Sequence, residues 1–112
     1  MDEVLQPGAR IDRYGSDYGS FTSPEGTPYE MRAVAPGTDQ RPYSVYEVVE
    51  PINVKSGSIA SWFDEPGGGI QDLLPDTVDE LLDWDILWLK GVEQYAKYQT
   101  YFRFAKLQRR AA

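Results

Sequence analysis

The chain reads as a small α+β domain built on a bent, mostly antiparallel sheet. Three observations lead there. Residues 43–50 crowd Tyr43, Val45, Tyr46, Val48 and Val49 into one run, the clearest strand in the sequence. The other strand-like runs are short and bounded by Gly, Pro, Asn and Ser. The helical runs do not alternate regularly with them, which argues against parallel βαβ units. With 112 residues, the chain suits one domain with one core.

Taken in order, residues 1–8 read as a lead-in. Residues 9–14 alternate weakly and predict a short strand ended by Gly15. Residues 15–28 are dense in Gly, Ser, Thr and Pro and read as turns and loops, with Phe21 open to two roles, packing on the core or touching a ligand. Residues 27–34 suit a short helix with Pro28 in the first turn, where its missing N–H does no harm. Residues 35–42 are a loop. After the strand at 43–50, Pro51 cannot donate to a ladder. Residues 52–54 give a second strand and residues 55–57 a turn.

Residues 70–74 predict a strand broken by Pro75. Residues 76–84 are the best helix, because Thr77 and Glu80 have capping-box spacing and Val78, Leu81 and Leu82 form one apolar face. Residues 86–89 read as a last strand stopped by Gly91. Over residues 92–110, Val92, Tyr95, Phe102 and Ala105 recur at helical spacing, and Lys106, Arg109 and Arg110 sit where a helix dipole favours cations. The expected organisation is therefore a domain over 1–91 and a helical extension over 92–112. That extension suits packing on the domain, a dimer contact or a surface for another protein.

Composition removes whole classes of chemistry. The chain has no Cys and no His. Disulfides, the common zinc sites and any Ser-His-Asp or Cys-His catalytic unit are excluded. Catalysis is left to carboxylates, Arg, Gln, Ser, Thr or Tyr, or to a hard metal on oxygen ligands. The net charge of −7 argues against general nucleic-acid binding, though a few Arg can still hold a small anion. Residues 1–92 carry 17 acids and 6 bases, a net of −11, whereas residues 93–112 carry 1 acid and 5 bases, a net of +4. No run of about 18 apolar residues is present, so no transmembrane helix or membrane insertion is expected. No basic segment followed by an apolar run opens the chain, so no signal peptide is expected.

The stretch Trp62-Phe63-Asp64-Glu65-Pro66-Gly67-Gly68-Gly69-Ile70-Gln71 stands out. Consecutive glycines weaken regular structure, and a chain tolerates them in an irregular loop, at positive φ, or where something approaches the backbone closely. Trp62 and Phe63 suit either wall and core or contact with a flat ring.

Three blocks carry a family resemblance. The first is Pro7-Gly8-Ala9-Arg10-Ile11-Asp12-Arg13-Tyr14-Gly15-Ser16. The second is Phe21-Thr22-Ser23-Pro24 with Thr27-Pro28-Tyr29-Glu30-Met31-Arg32, and the third is Ile59-Ala60-Ser61-Trp62-Phe63 with Pro66-Gly67-Gly68-Gly69-Ile70-Gln71. In this order, with Arg41-Pro42-Tyr43-Ser44-Val45-Tyr46-Glu47-Val48 between the second and third, they resemble the tuberculosis necrotizing toxin family of NAD glycohydrolases, over about residues 5–91.

The resemblance implies hydrolysis of NAD, and of NADP, to nicotinamide and an ADP-ribose product, with no cofactor because the dinucleotide is the substrate. It implies a fold related to ADP-ribosylating toxins and a secreted effector domain acting in a target-cell cytoplasm. A cognate immunity protein is the implied partner. Residue by residue, it places Gln71 and Arg13 as catalytic, and Phe21, Arg32, Tyr14, Ser23, Trp62 and Gly69 as substrate-binding, with no metal. The sequence departs from the family pattern at Ser44, where members often carry His, and at Asp72, where an apolar residue is more usual.

The bottom-up reading is compatible. An Arg fork can hold a pyrophosphate, although Arg13 and Arg32 equally suit salt bridges with Asp12, Glu30 or another acid. Gln71 offers both a donor and an acceptor without placing a full charge beside a reacting carbon. Two rival classes remain. A nucleotide-binding module without turnover is favoured by Ser44. An ADP-ribosyltransferase usually carries a Glu where this chain has Gln71.

Overall fold

The computed structural model describes residues 1–92. Seven strands form one sheet: β1 (Asp2–Leu5), β2 (Arg10–Tyr14), β3 (Phe21–Pro24), β4 (Tyr43–Val48), β5 (Ile52–Ser58), β6 (Ile70–Leu73) and β7 (Leu87–Val92). Their spatial order is β1-β5-β6-β3-β2-β4-β7, and every pairing is antiparallel. One α-helix, α1 (Val78–Asp83), and two 3₁₀ turns, Tyr29–Arg32 and Thr38–Gln40, complete the described elements. No described helix is long and apolar enough to cross a membrane.

The expected α+β architecture with an antiparallel sheet is present, but several elements differ from the sequence reading. The lead-in is a strand: β1 pairs with β5 at Asp2↔Lys55 through Leu5↔Ile52. It lies at the sheet edge and is largely exposed, so it lacks the alternating pattern that marks a half-buried strand. The turn-rich stretch contains β3, whose backbone is paired with β2 and with β6. Residues 55–57 do not turn, because Lys55 lies between β1 and β6 and Gly57 pairs with Gln71 of β6, in a continuous β5. The short helix at 27–34 is a 3₁₀ turn over Tyr29–Arg32 that ends with Ala33 in the left-handed region at φ 46°. Gly91 does not stop the last strand, which bulges there: Val45 pairs with Gly91 and Tyr46 with Leu89. The helix expected over 92–110 lies outside the described residues, apart from Val92, which closes β7.

The helix forms as its cap predicts, with Thr77 Oγ1 accepting the Glu80 backbone N–H at 3.2 Å. Its Val78, Leu81 and Leu82 pack with Ile11, Tyr46, Val48, Ile52, Val54, Leu74 and Leu87 into a single core. Burial of each such aliphatic side chain contributes roughly 1.5–3 kcal/mol.

One feature of the sheet positions the site. β2 and β3 share only Ile11↔Pro24 and Asp12↔Ser23. Beyond these pairs β2 continues along β4 (Arg13↔Ser44, Tyr14↔Tyr43), whereas β3 continues along β6 (Thr22↔Asp72, Phe21↔Leu73). The sheet therefore opens into a seam at its centre.

Candidate active site

Residues in register share a face, and neighbours along a strand alternate. Register therefore sorts the expected site residues. Asp12 and Tyr14 of β2, Phe21 and Ser23 of β3, and Gln71 of β6 lie on one face. Arg13, with Ser44 opposite it, emerges on the other face together with Ile11, Tyr46, Thr22 and Asp72. The structure thus brings Tyr14, Phe21, Ser23 and Gln71 together around the seam, while Arg13 reaches the seam from behind.

Arg13 crosses that gap. Its Nε donates to the Ser16 carbonyl at 2.7 Å and its Nη1 to the Phe21 carbonyl at 3.0 Å. The guanidinium lies against Gly19, where an added Cβ would stand 1.9 Å from Nη2. Burial holds this arginine below its ordinary pKa, with Arg41 adding repulsion and Tyr46 and Asp17 opposing the shift. The same loop anchors α1, since the Val78 and Asp79 N–H groups donate to the Gly19 and Asp17 carbonyls. Asp17 also accepts the hydroxyl of fully buried Tyr46.

Arg32 is 7 % exposed and is taken up by a residue of its own chain. Its Nη1 and Nη2 donate to Oδ1 and Oδ2 of Asp12 at 2.7 and 2.8 Å, and its Nε donates to the Thr27 carbonyl at 3.0 Å. Asp12, 0 % exposed, also accepts the Gly26 N–H at 3.1 Å and the Tyr43 hydroxyl at 2.7 Å. The salt bridge that the sequence allowed with Asp12 is real, and it is buried and bidentate. Above it, the Tyr14 ring covers the guanidinium at 5.1 Å and meets Tyr29 edge-on at 5.5 Å and Tyr43 tilted at 4.9 Å. Burial raises the Tyr14 phenol pKa, and Arg32 partly offsets this. In the sequence, Asp12 stands out only as a possible salt-bridge partner and Tyr43 only as a residue of the clearest strand; the structure joins both to Arg32.

The glycine-rich stretch is a narrow ribbon extending the β5–β6 hairpin. The Ile59 N–H donates to the Gly69 carbonyl and the Gly68 N–H to the Ile59 carbonyl, both at 2.8 Å. Gly67 and Gly69 donate to the Glu30 and Met31 carbonyls at 3.2 and 3.0 Å, pinning the ribbon to the 3₁₀ turn that carries Arg32. A Cβ at Gly67 would lie 2.6 Å from the Ile59 carbonyl oxygen, and one at Gly69 would lie 2.8 Å from Thr27 Cγ2. The close approach these glycines permit is to other parts of the same chain. Trp62, at the ribbon's tip, is 67 % exposed and stacks on Phe63 at 5.4 Å. Phe21 and Gln71 are exposed, and Ser23 is buried.

Chemically, the face offers an amide, a hydroxyl and several aromatic rings, which suits orientation and polarisation of a flat, polar ligand. No group of three His, Cys, Asp or Glu among the described residues could hold a metal ion.

Comparison with known proteins follows the same blocks. A family model described as tuberculosis necrotizing toxin matches residues 4–89. The conidial surface nicotinamide adenine dinucleotide glycohydrolase nadA of Aspergillus fumigatus is 38 % identical over 87 residues, covering 71 % of this chain and 37 % of that protein. Among solved structures, tuberculosis necrotizing toxin complexed with its immunity factor superposes with a TM-score of 0.64 at 24 % identity, over 78 % of this chain and 54 % of that one. Rhs1-CT, in complex with its cognate immunity protein RhsI1, gives 0.63 at 15 % identity, over 84 % and 80 %. These likenesses show the fold. The chain spans little more than a third of the fungal protein's length and about half of the toxin's.

Proposed function

The chain belongs to the tuberculosis necrotizing toxin family, and from that premise we propose that it is an NAD glycohydrolase. Water adds across the nicotinamide–ribose N-glycosidic bond, giving nicotinamide, ADP-ribose and a proton. NADP is proposed as a second substrate. The biological setting proposed with it is a toxin domain that drains a target cell's dinucleotide pool and is restrained by a cognate immunity protein. Kinship with ADP-ribosylating toxin folds belongs to the same proposal.

The observation that carries the reading is the shared sheet face of Phe21, Ser23 and Gln71, drawn from two distant blocks and placed beside the seam. The identity to a fungal protein named as an NAD glycohydrolase supports the reaction. The chemistry suits a chain without His or Cys. Nicotinamide leaves as a neutral molecule from a cationic ring, so the leaving group needs no proton. This removes the general acid that ordinary glycoside hydrolysis requires. What remains is positioning and stabilisation of an oxocarbenium-like ribose.

In this reading the Gln71 amide orients the attacking water and the ribose hydroxyls. Ser23 and Tyr14 supply further polar contacts, and Phe21 provides an apolar wall. Arg13 and Arg32 act largely from behind. Arg13 holds the Phe21 carbonyl, and Arg32 with Asp12 supports the Tyr14 ring, so each guanidinium fixes a residue of that face.

The test is incubation of the purified chain with NAD and NADP separately, following nicotinamide release. Gln71→Ala is expected to lower kcat about 10²–10³-fold, the cost of losing one oriented polar group at a developing charge. Wild-type turnover in that variant would remove Gln71 from the mechanism. Absence of nicotinamide with either dinucleotide, despite measurable binding, would favour the second reading: a binding module, supported by Ser44 in place of the family His.

A further inference from the structure

We propose that Tyr46 is a positioning residue for the reaction, acting through Asp17 and the 15–20 loop to set the Arg13 guanidinium that holds Phe21. The proposal rests on the glycohydrolase reading and adds a residue that never meets the substrate. Tyr46 is 0 % exposed and lies on the sheet face opposite Gln71.

The first support is a hydroxyl that packing does not require. Tyr46 is the only member of the buried core cluster with a polar side-chain atom. A Phe would fill the same space, and burying a hydroxyl costs stability unless the group is hydrogen-bonded. The Tyr46 hydroxyl donates to Oδ1 of Asp17. Asp17 belongs to a loop that holds on by polar bonds alone. No apolar side chain of residues 15–20 is buried, and Tyr18 is 77 % exposed. The loop carbonyls of Asp17, Gly19 and Ser20 accept the N–H groups of Asp79, Val78 and Leu74. The Tyr46 bond ties the same loop to β4.

The second support is what the loop holds in turn. Arg13 Nε donates to the carbonyl of Ser16, the residue before Asp17, and Nη1 donates across the seam to the Phe21 carbonyl. A guanidinium is rigid and planar, so a shift of one bond turns the other. Ile11↔Tyr46 and Arg13↔Ser44 put the phenol and the guanidinium on one face, near enough for each to act on the other's charge. Ser44, where family members often carry His, is 6 % exposed and lies on this face beside the Tyr46 phenol. Position 44 of this chain therefore serves the network behind the seam, not the Gln71 face. The bonds run from the core through Asp17, Ser16 and Arg13 to Phe21, which stands on the Gln71 face.

The experiment deletes single links. A misplacement of about 1 Å can cost about 10²-fold in rate, so Tyr46→Phe is expected to lower kcat on NAD about 5–100-fold at a temperature where the variant is fully folded. Asp17→Ala, a change in the loop and not the core, is expected to match it. Asp17→Asn keeps an oxygen that accepts the phenol and is expected to retain most of kcat. Added to Arg13→Ala, Tyr46→Phe is expected to change the residual kcat less than about twofold, while shifting Tm as it does in the wild type. The Arg13 Nε–H nuclear magnetic resonance, assigned by its loss in Arg13→Lys, is expected to move in Tyr46→Phe and Asp17→Ala and to stay in place in Asp17→Asn.

A wild-type kcat in folded Tyr46→Phe and Asp17→Ala would overturn the proposal, as would an equal fold-loss with and without Arg13. If the wild-type chain releases no nicotinamide, the glycohydrolase reading fails separately. In that case, or where Arg13→Ala leaves no measurable turnover, the resonance decides. Movement in both variants supports the Tyr46–Asp17–Arg13 linkage, and an unmoved Arg13 signal ends it.

Discussion

Asp12→Ala removes the one carboxylate to which Arg32, Gly26 and Tyr43 all donate. In its absence a guanidinium that is 7 % exposed keeps its charge without a counter-ion. Breaking one partner of a buried ion pair typically costs about 3–5 kcal/mol, most of it the penalty on the charge left behind. For a domain near this size, 1 kcal/mol shifts Tm by about 4–8 °C, so a fall of about 12–40 °C is expected. Thermal unfolding followed by circular dichroism reads it directly. The double change Asp12→Leu with Arg32→Met removes both charges and is expected to recover much of the loss, because two apolar side chains replace a costly pair. Tm within about 4 °C of wild type in Asp12→Ala would refute the hub, as would a double variant no more stable than the single one. The double variant also separates two roles for Arg32. If KM for NAD is unchanged in a folded double variant, Arg32 serves as a strut; if KM rises, it also touches substrate.

Gly19→Ala places a methyl group where Arg13 Nη2 now lies, so the guanidinium must leave the Ser16 and Phe21 carbonyls; turnover is expected to fall at least about tenfold, and adding the change to Arg13→Ala is expected to cost nothing further. Measurable additivity in that cycle would show that Gly19 acts by another route. The Tyr46 phenol, raised well above its ordinary value of 10.0 by burial first and by Asp17 next, stays protonated when the unfolded chain ionises. Its stabilising contribution is therefore complete below about pH 10 and is lost as pH rises above that, at up to about 1.4 kcal/mol per pH unit. Tyr46→Phe is expected to flatten alkaline denaturation by that slope, leaving the smaller dependence due to Tyr14. An unchanged alkaline slope would show that Tyr46 is not the group responsible.

How much was legible in the sequence follows from what each element depends on. β4 and the Thr77–Glu80 cap are written locally, in β-branched crowding and in a three-residue spacing, and both formed. β1 and the outer half of β5 owe their existence to pairing with each other and with β6; nothing in Lys55, Ser56 or Gly57 alone distinguishes strand from turn. β3 has the composition of a loop, and only its two neighbours make it a strand. The blocks pointed to Phe21, Ser23 and Gln71 as companions, and the register unites them on one face. They pointed equally to Arg32 as a ligand contact, whereas its nearest carboxylate is Asp12, twenty residues back. A partner so distant along the chain leaves no periodic trace. Of the roles the sequence allows the glycines, positive φ and close approach both apply, and what approaches is Ile59, Ala60, Thr27 and Met31.

The seam between β2 and β3 has a mechanical consequence. Two register pairs, the Arg13 crosslink and the bonds that the Glu25 and Gly26 N–H groups make to Arg10 and Asp12 join the two wings of the sheet at its midline. A dinucleotide lodged against Tyr14 on one bank and Phe21 on the other would rivet the wings together, so occupancy would stiffen the whole molecule and not merely the loops that touch it.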